Sequence, residues 1–275
     1  MLRFFKGVVS SCTTESVFSG FLPAFLTGVN QLKAQTTVSM NHILQQPRAG
    51  GILLLDLDDT VGRVPQMLGL DPWFRYRVTR FALEGHTQSG ALLAAIEIYN
   101  RAQLASKAYV PVDHSIDIAR QINSLKTNGV DVIGVTARNY QIAEQTHLLL
   151  DSLGVTFSAD ALKDGRFVIN DKIIEAKNGV LFVNGQDKGK ALQLAGEHKL
   201  FDTPLSRYSN ITYVDDSLSN CENVIAQFNR MSLACLHLVY HYDYAAKHLP
   251  FDKHAERIAD IQEESLNREG GILLS

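Results

Sequence analysis

The sequence predicts an α/β fold built on an open, parallel sheet. Two observations carry this expectation. Short, wholly apolar runs recur along the chain, and the first, second and fourth end at a polar tip: Asp56, Thr136 and Asp215. Segments with helical spacing separate these runs, with Gly129 and Gly154 as stops. A run that is apolar at every position reads as a strand buried on both faces, which is the habit of parallel sheets. Strands alternating with helices join through right-handed crossovers, and ligands then sit at the carboxyl ends of the strands.

In chain order, residues 1–48 read as an N-terminal extension. It closes at Gln45-Gln46-Pro47-Arg48-Ala49-Gly50-Gly51, a polar and glycine-containing break. Arg3 and Lys6 precede an apolar stretch, as in a signal peptide. Thr13, Thr14, Glu15 and Asn30 interrupt it, and no cleavage pattern follows, so a docked or frayed extension is the reading taken. Val8-Val9-Ser10-Ser11-Cys12 resembles a lipidation box, but the apolar region before it is too short.

Ile52-Leu53-Leu54-Leu55 is the first strand and enters Asp56-Leu57-Asp58-Asp59-Thr60. Residues 62–110 form an insertion, a loop followed by helices over about Trp73–Glu84 and Ala91–Ala108, placed directly above the strand tips. Ile116, Ala119, Ile122 and Leu125 mark the next helix, and Val130 to Val135 is a strand running into Thr136-Ala137-Arg138. Another helix carries Ile142, Leu149 and Leu153 on one face. Residues 155–180, with turn signals at Asp164-Gly165 and Asn178-Gly179, read as a hairpin appended to the strand Val180 to Val183. Lys188 opens a helix, Ile211 to Val214 is a strand ending at Asp215-Asp216, and Leu233 to Tyr240 is a fifth. The core therefore comprises residues 49–61 and 111–242, and residues 243–275 are a C-terminal helical extension.

Composition narrows the function classes. With 275 residues, 45% hydrophobic and 20% charged, this is an ordinary soluble globular composition. A formal net charge of -3 gives no reason to expect nucleic acid as partner. No apolar run approaches the roughly 18 residues that span a bilayer. Cys12, Cys221 and Cys235 are odd in number and have no metal-type spacing, so neither a disulfide framework nor a zinc site is indicated.

The tips suggest phosphoryl chemistry. A phosphate ester resists an anionic nucleophile unless its charge is neutralised, and Mg²⁺ prefers oxygen ligands that bridge carboxylate to phosphate. Asp56 would attack phosphorus, splitting the reaction through an aspartyl phosphate. Asp58 would protonate the leaving oxygen and later take a proton from water, which needs a carboxyl held partly protonated by neighbouring acids. Its backbone carbonyl is a candidate metal ligand. Thr136 would hold phosphoryl oxygens, with Thr60 and Arg138 as substrate contacts, and Lys188 would supply positive charge. Asp215 would bind the metal directly, and Asp216 directly or through water. Each element also has a plain alternative: the first acidic run could be a turn or cap, Thr136 a strand end, Lys188 a solvated helix residue, and Asp215-Asp216 a helix cap. Asp59 is left as structural.

Together Asp56-x-Asp58-x-Thr60, Thr136, Lys188 and Asp215-Asp216 resemble the four motifs of the haloacid-dehalogenase (HAD) superfamily, over about residues 50–242. The resemblance implies a Rossmann-like three-layer core with a small helical cap after the first motif strand, Mg²⁺, and an aspartyl-phosphate intermediate. Within it, Gln66-Met67-Leu68-Gly69-Leu70-Asp71-Pro72-Trp73-Phe74, Gly134-Val135-Thr136-Ala137-Arg138, Leu153-Gly154-Val155-Thr156-Phe157-Ser158 and Tyr213-Val214-Asp215-Asp216 are similar to an uncharacterised HAD-like family of bacteria that live inside host cells. Asn220 stands where some relatives carry a further acid. Asp58 favours phosphoryl transfer over dehalogenation, because halide leaves unprotonated. A phosphomutase, or an inactive HAD-fold binding or effector module, remain alternatives to a phosphatase.

For the substrate, a small molecule or a phosphoprotein, the clue is Pro72-Trp73-Phe74-Arg75-Tyr76-Arg77. Trp73 is a candidate stacking contact for an aromatic phosphoester, against the alternative that Trp73 and Phe74 form the cap's own core. The C-terminal run from Gln262-Glu263-Glu264 to Leu274-Ser275 resembles the tail signals of proteins injected into host cells, against the alternative of a helix end with a tucked tail. The bacterial cytoplasm and export into a host cell both stay open as destinations.

Overall fold

In the computed structural model the described residues are 33–231, 233, 235–244 and 251–272. The strands are β1 (Gln35–Thr37), β2 (Ile52–Leu55), β3 (Gly62–Arg63), β4 (Val110–Pro111), β5 (Asp131–Thr136), β6 (Gly165–Ile169), β7 (Lys172–Lys177), β8 (Val180–Phe182), β9 (Asn210–Asp215) and β10 (Leu236–Tyr242). The helices are α1 (Met40–Leu44), α2 (Asp71–Leu83), α3 (Gln88–Ala105), α4 (Ile118–Thr127), α5 (Ala143–Ser152), α6 (Lys188–Glu197), α7 (Leu218–Met231) and α8 (Lys253–Glu269).

The main sheet has the order β1-β10-β9-β2-β5-β8-β7-β6. Its first six strands pair in parallel, and β7 and β6 continue the edge as an antiparallel hairpin. This is the α/β, Rossmann-like architecture that the apolar runs predict. Alternation along β2 shows why every residue of that strand is apolar. Leu53 and Leu55 join an apolar cluster with Met40 and Ile43 of α1, Ile122 of α4 and Leu149 of α5. Ile52 and Leu54 join Leu192 of α6 and Val224 and Phe228 of α7 on the opposite face. All four β2 side chains are fully buried, each contributing about 1.5–3 kcal/mol on removal from water.

Several boundaries shift for local reasons. The second insertion helix begins at Gln88, because the Thr87 side chain caps it by accepting from Gly90 N–H, and it ends at Ala105. Residues 35–44, read from the sequence as part of an extension, supply the edge strand β1 and the helix α1, whose Met40, Ile43 and Leu44 are core residues. The leader and lipidation readings of the first residues, and the tail beyond 272, lie outside the described residues. Among the described residues no helix is long and apolar enough to cross a membrane.

The insertion leaves and re-enters the core through β3 and β4, which pair antiparallel as Gly62↔Pro111 and Arg63↔Val110. Between them α2 and α3 pack as a pair, and α8 from the C-terminal region lies against them. Leu68, Trp73 and Ala102 of the insertion share one apolar cluster with Ala259 and Leu266 of α8. Polar ties reinforce it: Arg77 with Glu263 at 3.0 Å, Arg101 to Asn267 at 2.7 Å, and Leu68 N–H to Gln262 Oε1 at 3.0 Å.

Candidate active site

The order β9-β2-β5 sets the carboxyl ends of three adjacent parallel strands side by side, so Asp215, Asp56 and Thr136 converge as their positions in the sequence require. The Asp56 N–H donates to the Val214 carbonyl at 2.9 Å, locking the first tip to its neighbour. The chain then closes one turn, in which Thr60, Val61 and Gly62 N–H groups donate to the Leu57 carbonyl at 3.3, 2.9 and 3.1 Å. Asp59 sits within this turn at φ 56°, a left-handed conformation that aspartate tolerates better than most residues.

Asp56 is almost wholly buried, and its two oxygens are held separately. Oδ1 accepts from Lys188 Nζ at 2.5 Å, and Oδ2 accepts from Thr60 Oγ1 at 3.3 Å. Lys188 reaches it from the first position of α6, whose N-cap is Asp187. It also donates to Asp215 Oδ2 at 2.7 Å. Gly189 makes this approach possible: a Cβ there would stand 2.7 Å from the Asn223 carbonyl and 2.9 Å from Gln227 Cβ on α7.

Asp215, expected to bind a metal directly, is fully buried and its oxygens are already engaged. Oδ2 accepts from Tyr213 Oη at 2.5 Å as well as from Lys188, and Oδ1 accepts from Ser217 N–H at 2.9 Å and Asn220 Nδ2 at 3.0 Å. Asp216 lines the cavity in front of Asp56, and Asp215 does not. Carboxylate oxygens of Asp56, Asp215 and Asp216 lie within 4.8 Å of one another. One buried ammonium therefore bridges two of these carboxylates, Asp56 and Asp215, with Asp216 beside them. Burial pushes the Asp56 carboxyl up, against the pull of Lys188, and Asp215 and Asp216 push the same way. Burial would lower Lys188, but Asp215 and Asp56 outweigh it and hold its ammonium charged. The cluster has a surplus of negative oxygen donors, the set that suits a hard divalent cation.

Asp58 departs from its expected state. Its carboxylate takes a bidentate pair from Arg138, Nε to Oδ2 and Nη2 to Oδ1, both at 2.9 Å, and Tyr109 Oη donates to Oδ1 at 2.9 Å. Burial alone would raise its pKa, but the Arg138 guanidinium beside it holds the carboxyl below the usual range. Neighbouring acids do not keep it protonated, as the sequence had suggested, because a cation sits between it and that role. The raised carboxyl in this loop is Asp59, pushed to about 7 by burial and then by Asp216 and Asp58.

The expected substrate contacts also move. Arg138 is buried and committed: besides Asp58 it donates to Thr146 Oγ1 at 3.1 Å and to Gln103 Oε1 on the insertion helix α3. Thr136 is fully buried and accepts from Arg138 N–H at 3.1 Å, and Thr60 serves Asp56. Trp73 is 1% exposed and lies under α8, outside the cavity, because α8 supplies the apolar cover that its ring needs. Its neighbour Phe74 lines the cavity instead. The cavity is about 480 Å³, walled on the core side by Asp56, Asp58, Lys188 and Asp216 and on the insertion side by α2 and α3. Tyr109, Gln103 and Tyr213 were missed, since a tyrosine or glutamine carries no motif until its partner is known.

Over residues 34–273 the chain matches the family described as a protein of unknown function (DUF2608), and it belongs to that family. It matches no curated protein. Among solved structures it is similar to the HAD domain of effector protein Lem4 from Legionella pneumophila, at 14% identity over 78% of this chain and 94% of that one, with a TM-score of 0.38. It is also similar to a phospho-aspartyl intermediate analogue of phosphoserine phosphatase, at 13% identity over 74% and 98% of the respective chains, with a TM-score of 0.36.

Proposed function

We propose that this member of the DUF2608 family is a HAD-type, Mg²⁺-dependent phosphoester hydrolase with Asp56 as its nucleophile. The observation that carries the reading is the cluster in which Asp56 and Asp215 share one buried ammonium beside Asp216, at the floor of a cavity on the carboxyl edge of a parallel sheet. Asp56, Asp216 and the Asp58 backbone carbonyl would hold Mg²⁺, with Asp215 orienting Lys188 behind them. When bound, Mg²⁺ would neutralise both the nucleophile and the phosphoryl group it attacks.

Thr60 and Lys188 fix the two oxygens of Asp56, so one is presented to phosphorus without the cost of ordering it in each turnover. Attack forms an Asp56–phosphorus bond as the bond to the leaving oxygen breaks. Asp58, turned from Arg138 and protonated, would give that oxygen its proton. Water then attacks the aspartyl phosphate, Asp58 takes the water's proton, and Asp56 is released with inorganic phosphate. The backbone at Ala137, which lines the cavity next to the buried Thr136, would cradle the phosphoryl oxygens.

The ion pair of Asp58 with Arg138 favours a second reading, a binding module that does not turn over. Phosphate release from p-nitrophenyl phosphate separates the two. A hydrolase releases phosphate with Mg²⁺, stops with chelator, and loses activity by about 10³-fold or more in Asp56→Asn. A chain that binds Mg²⁺ by calorimetry yet hydrolyses no member of a broad phosphoester panel is the binding module.

A further inference from the structure

Four cations line the cavity: Arg63, Arg75, Arg138 and Lys188. Three are committed. Lys188 bridges Asp56 and Asp215, Arg138 clasps Asp58, and Arg75 pairs with Asp71 at 2.8 Å within α2. Arg63 differs. It is half-buried on β3, just beyond the turn that carries Asp58 and Asp59, and it has no hydrogen bond or ion pair among the described residues. Its charge acts on Asp59, whose carboxyl it draws down against burial and the other acids. A half-buried guanidinium at a cavity wall with its donors unclaimed is a ready site for an anion, since its planar fork fits carboxylate or phosphate on two bonds.

The insertion side of the cavity is largely apolar, with Asp71, Arg75 and Asn100 as its polar members. Leu70, Phe74, Leu92, Ile96 and Tyr99 line it from the insertion side. Phe74 and Tyr99 meet edge to face with ring centroids 5.9 Å apart, presenting an aromatic corner. At about 480 Å³ the space is of the size that encloses a small organic ligand, well beyond a lone phosphate.

Resting on the reading of this cavity as a phosphoester site, we propose that its substrate is a phosphomonoester whose leaving group is an apolar body bearing a second anionic group, and that Arg63 reads that anion. The phosphoryl end goes to Asp56 and Lys188, the apolar body to the α2–α3 wall, and the second anion to the guanidinium on β3.

Non-hydrolysable phosphonates test this without depending on turnover. Calorimetry with Mg²⁺ would compare benzylphosphonate, the 3- and 4-carboxybenzylphosphonates, and phosphonoacetate. The proposal expects at least one carboxybenzyl compound to bind about tenfold or more tighter than benzylphosphonate, the scale of one charge-assisted contact. Phosphonoacetate, an anion without the apolar body, should bind more weakly than the better carboxybenzyl compound. In Arg63→Gln the carboxylate preference should vanish while benzylphosphonate binds as before, and Arg63→Lys should restore part of it. Equal weakening of all four ligands in Arg63→Gln would make Arg63 a contact of the phosphoryl group and overturn the proposal. So would the absence of any preference in the unaltered chain, or the absence of phosphonate binding altogether. Phosphate release from phenyl phosphate and its carboxyphenyl counterparts, measured alongside, keeps the two readings apart. Turnover without the preference leaves a hydrolase with another substrate class, whereas the preference without turnover leaves the ligand class and removes the hydrolase.

Discussion

Asp215 and Asp216 are adjacent in sequence, yet the structure gives them different surroundings. Asp215 is enclosed and accepts from Tyr213, Ser217, Asn220 and Lys188, so its charge is spent inside the protein. Asp216 lines the cavity and adds to the repulsion that raises Asp56 and Asp59. Two substitutions should therefore part company. Asp216→Asn should abolish the gain in stability on adding Mg²⁺. That gain is about 2.7 kcal/mol in the unaltered chain at a free Mg²⁺ concentration near 100 times its Kd. Asp215→Asn should cost about 1–3 kcal/mol without metal, because buried donors lose a charged acceptor. Thermal melts of both variants with and without Mg²⁺ check the assignment, and the reverse pattern would make Asp215 the ligand. The sequence identified the acidic pair and assigned the direct metal contact to Asp215; the opposite division depends on Tyr213 and Asn220, whose side chains become relevant only once β9 and α7 are placed. Asp58 shows the same limit: its partner Arg138 is 80 positions away and lies beside it because β2 and β5 are neighbours.

At the level of elements, the parallel strands were legible because burial on both faces leaves an unbroken apolar run. The helices α4 and α5 were legible from their spacing and from the glycines that stop them. Less legible were β1 and α1, a three-residue strand and a five-residue helix too short to show a period. The α6–α7 contact is the element on which the site depends most. Gly189 stands where α6 meets the backbone of α7 at Asn223 and Val224, one residue from Lys188. Gly189→Ala would put a methyl group 2.7 Å from the Asn223 carbonyl, so α6 must withdraw. Overpacking of this kind costs about 1–3 kcal/mol. Lys188 moves with the helix, so phosphate release should fall even at temperatures where the variant is fully folded. Urea denaturation and activity measured together test the coupling, and a variant that loses stability at full activity would show that Lys188 is placed by its carboxylate partners alone.

For the whole molecule, the least expected feature is that the C-terminal helix α8 packs on the insertion that walls the site. The helix α8 follows the sheet in sequence, yet it packs on the insertion, with partners such as Gln262 and Leu68 separated by 194 positions. Its buried stripe, Ala255, Ala259, Gln262, Ser265 and Leu266, keeps helical spacing, and Asp252 and Gly270 cap its two ends. The sequence thus shows a good amphipathic helix while leaving its target open, because an apolar stripe does not name its partner. The Glu263 of the tail run read as an export signal is half-buried against Arg77, so as a signal this run would have to leave the insertion first. Removing residues 251–275 should uncover Leu68, Trp73 and Ala102, whose cover α8 provides, while the two clusters on either face of the sheet keep most of their members. Limited proteolysis of the truncated chain should then cut within residues 66–106 at a rate many times that of the full chain, with the sheet core surviving as a resistant fragment. Leu266→Ala should show the same change in milder form, at a cost of about 2–5 kcal/mol confined to the insertion. Because α2 and α3 also wall the cavity, the affinity for a benzylphosphonate should fall in both variants in proportion to the protease sensitivity. Unaltered cleavage and affinity after truncation would mean that the insertion holds its place through β3, β4 and the Arg138–Gln103 bond alone.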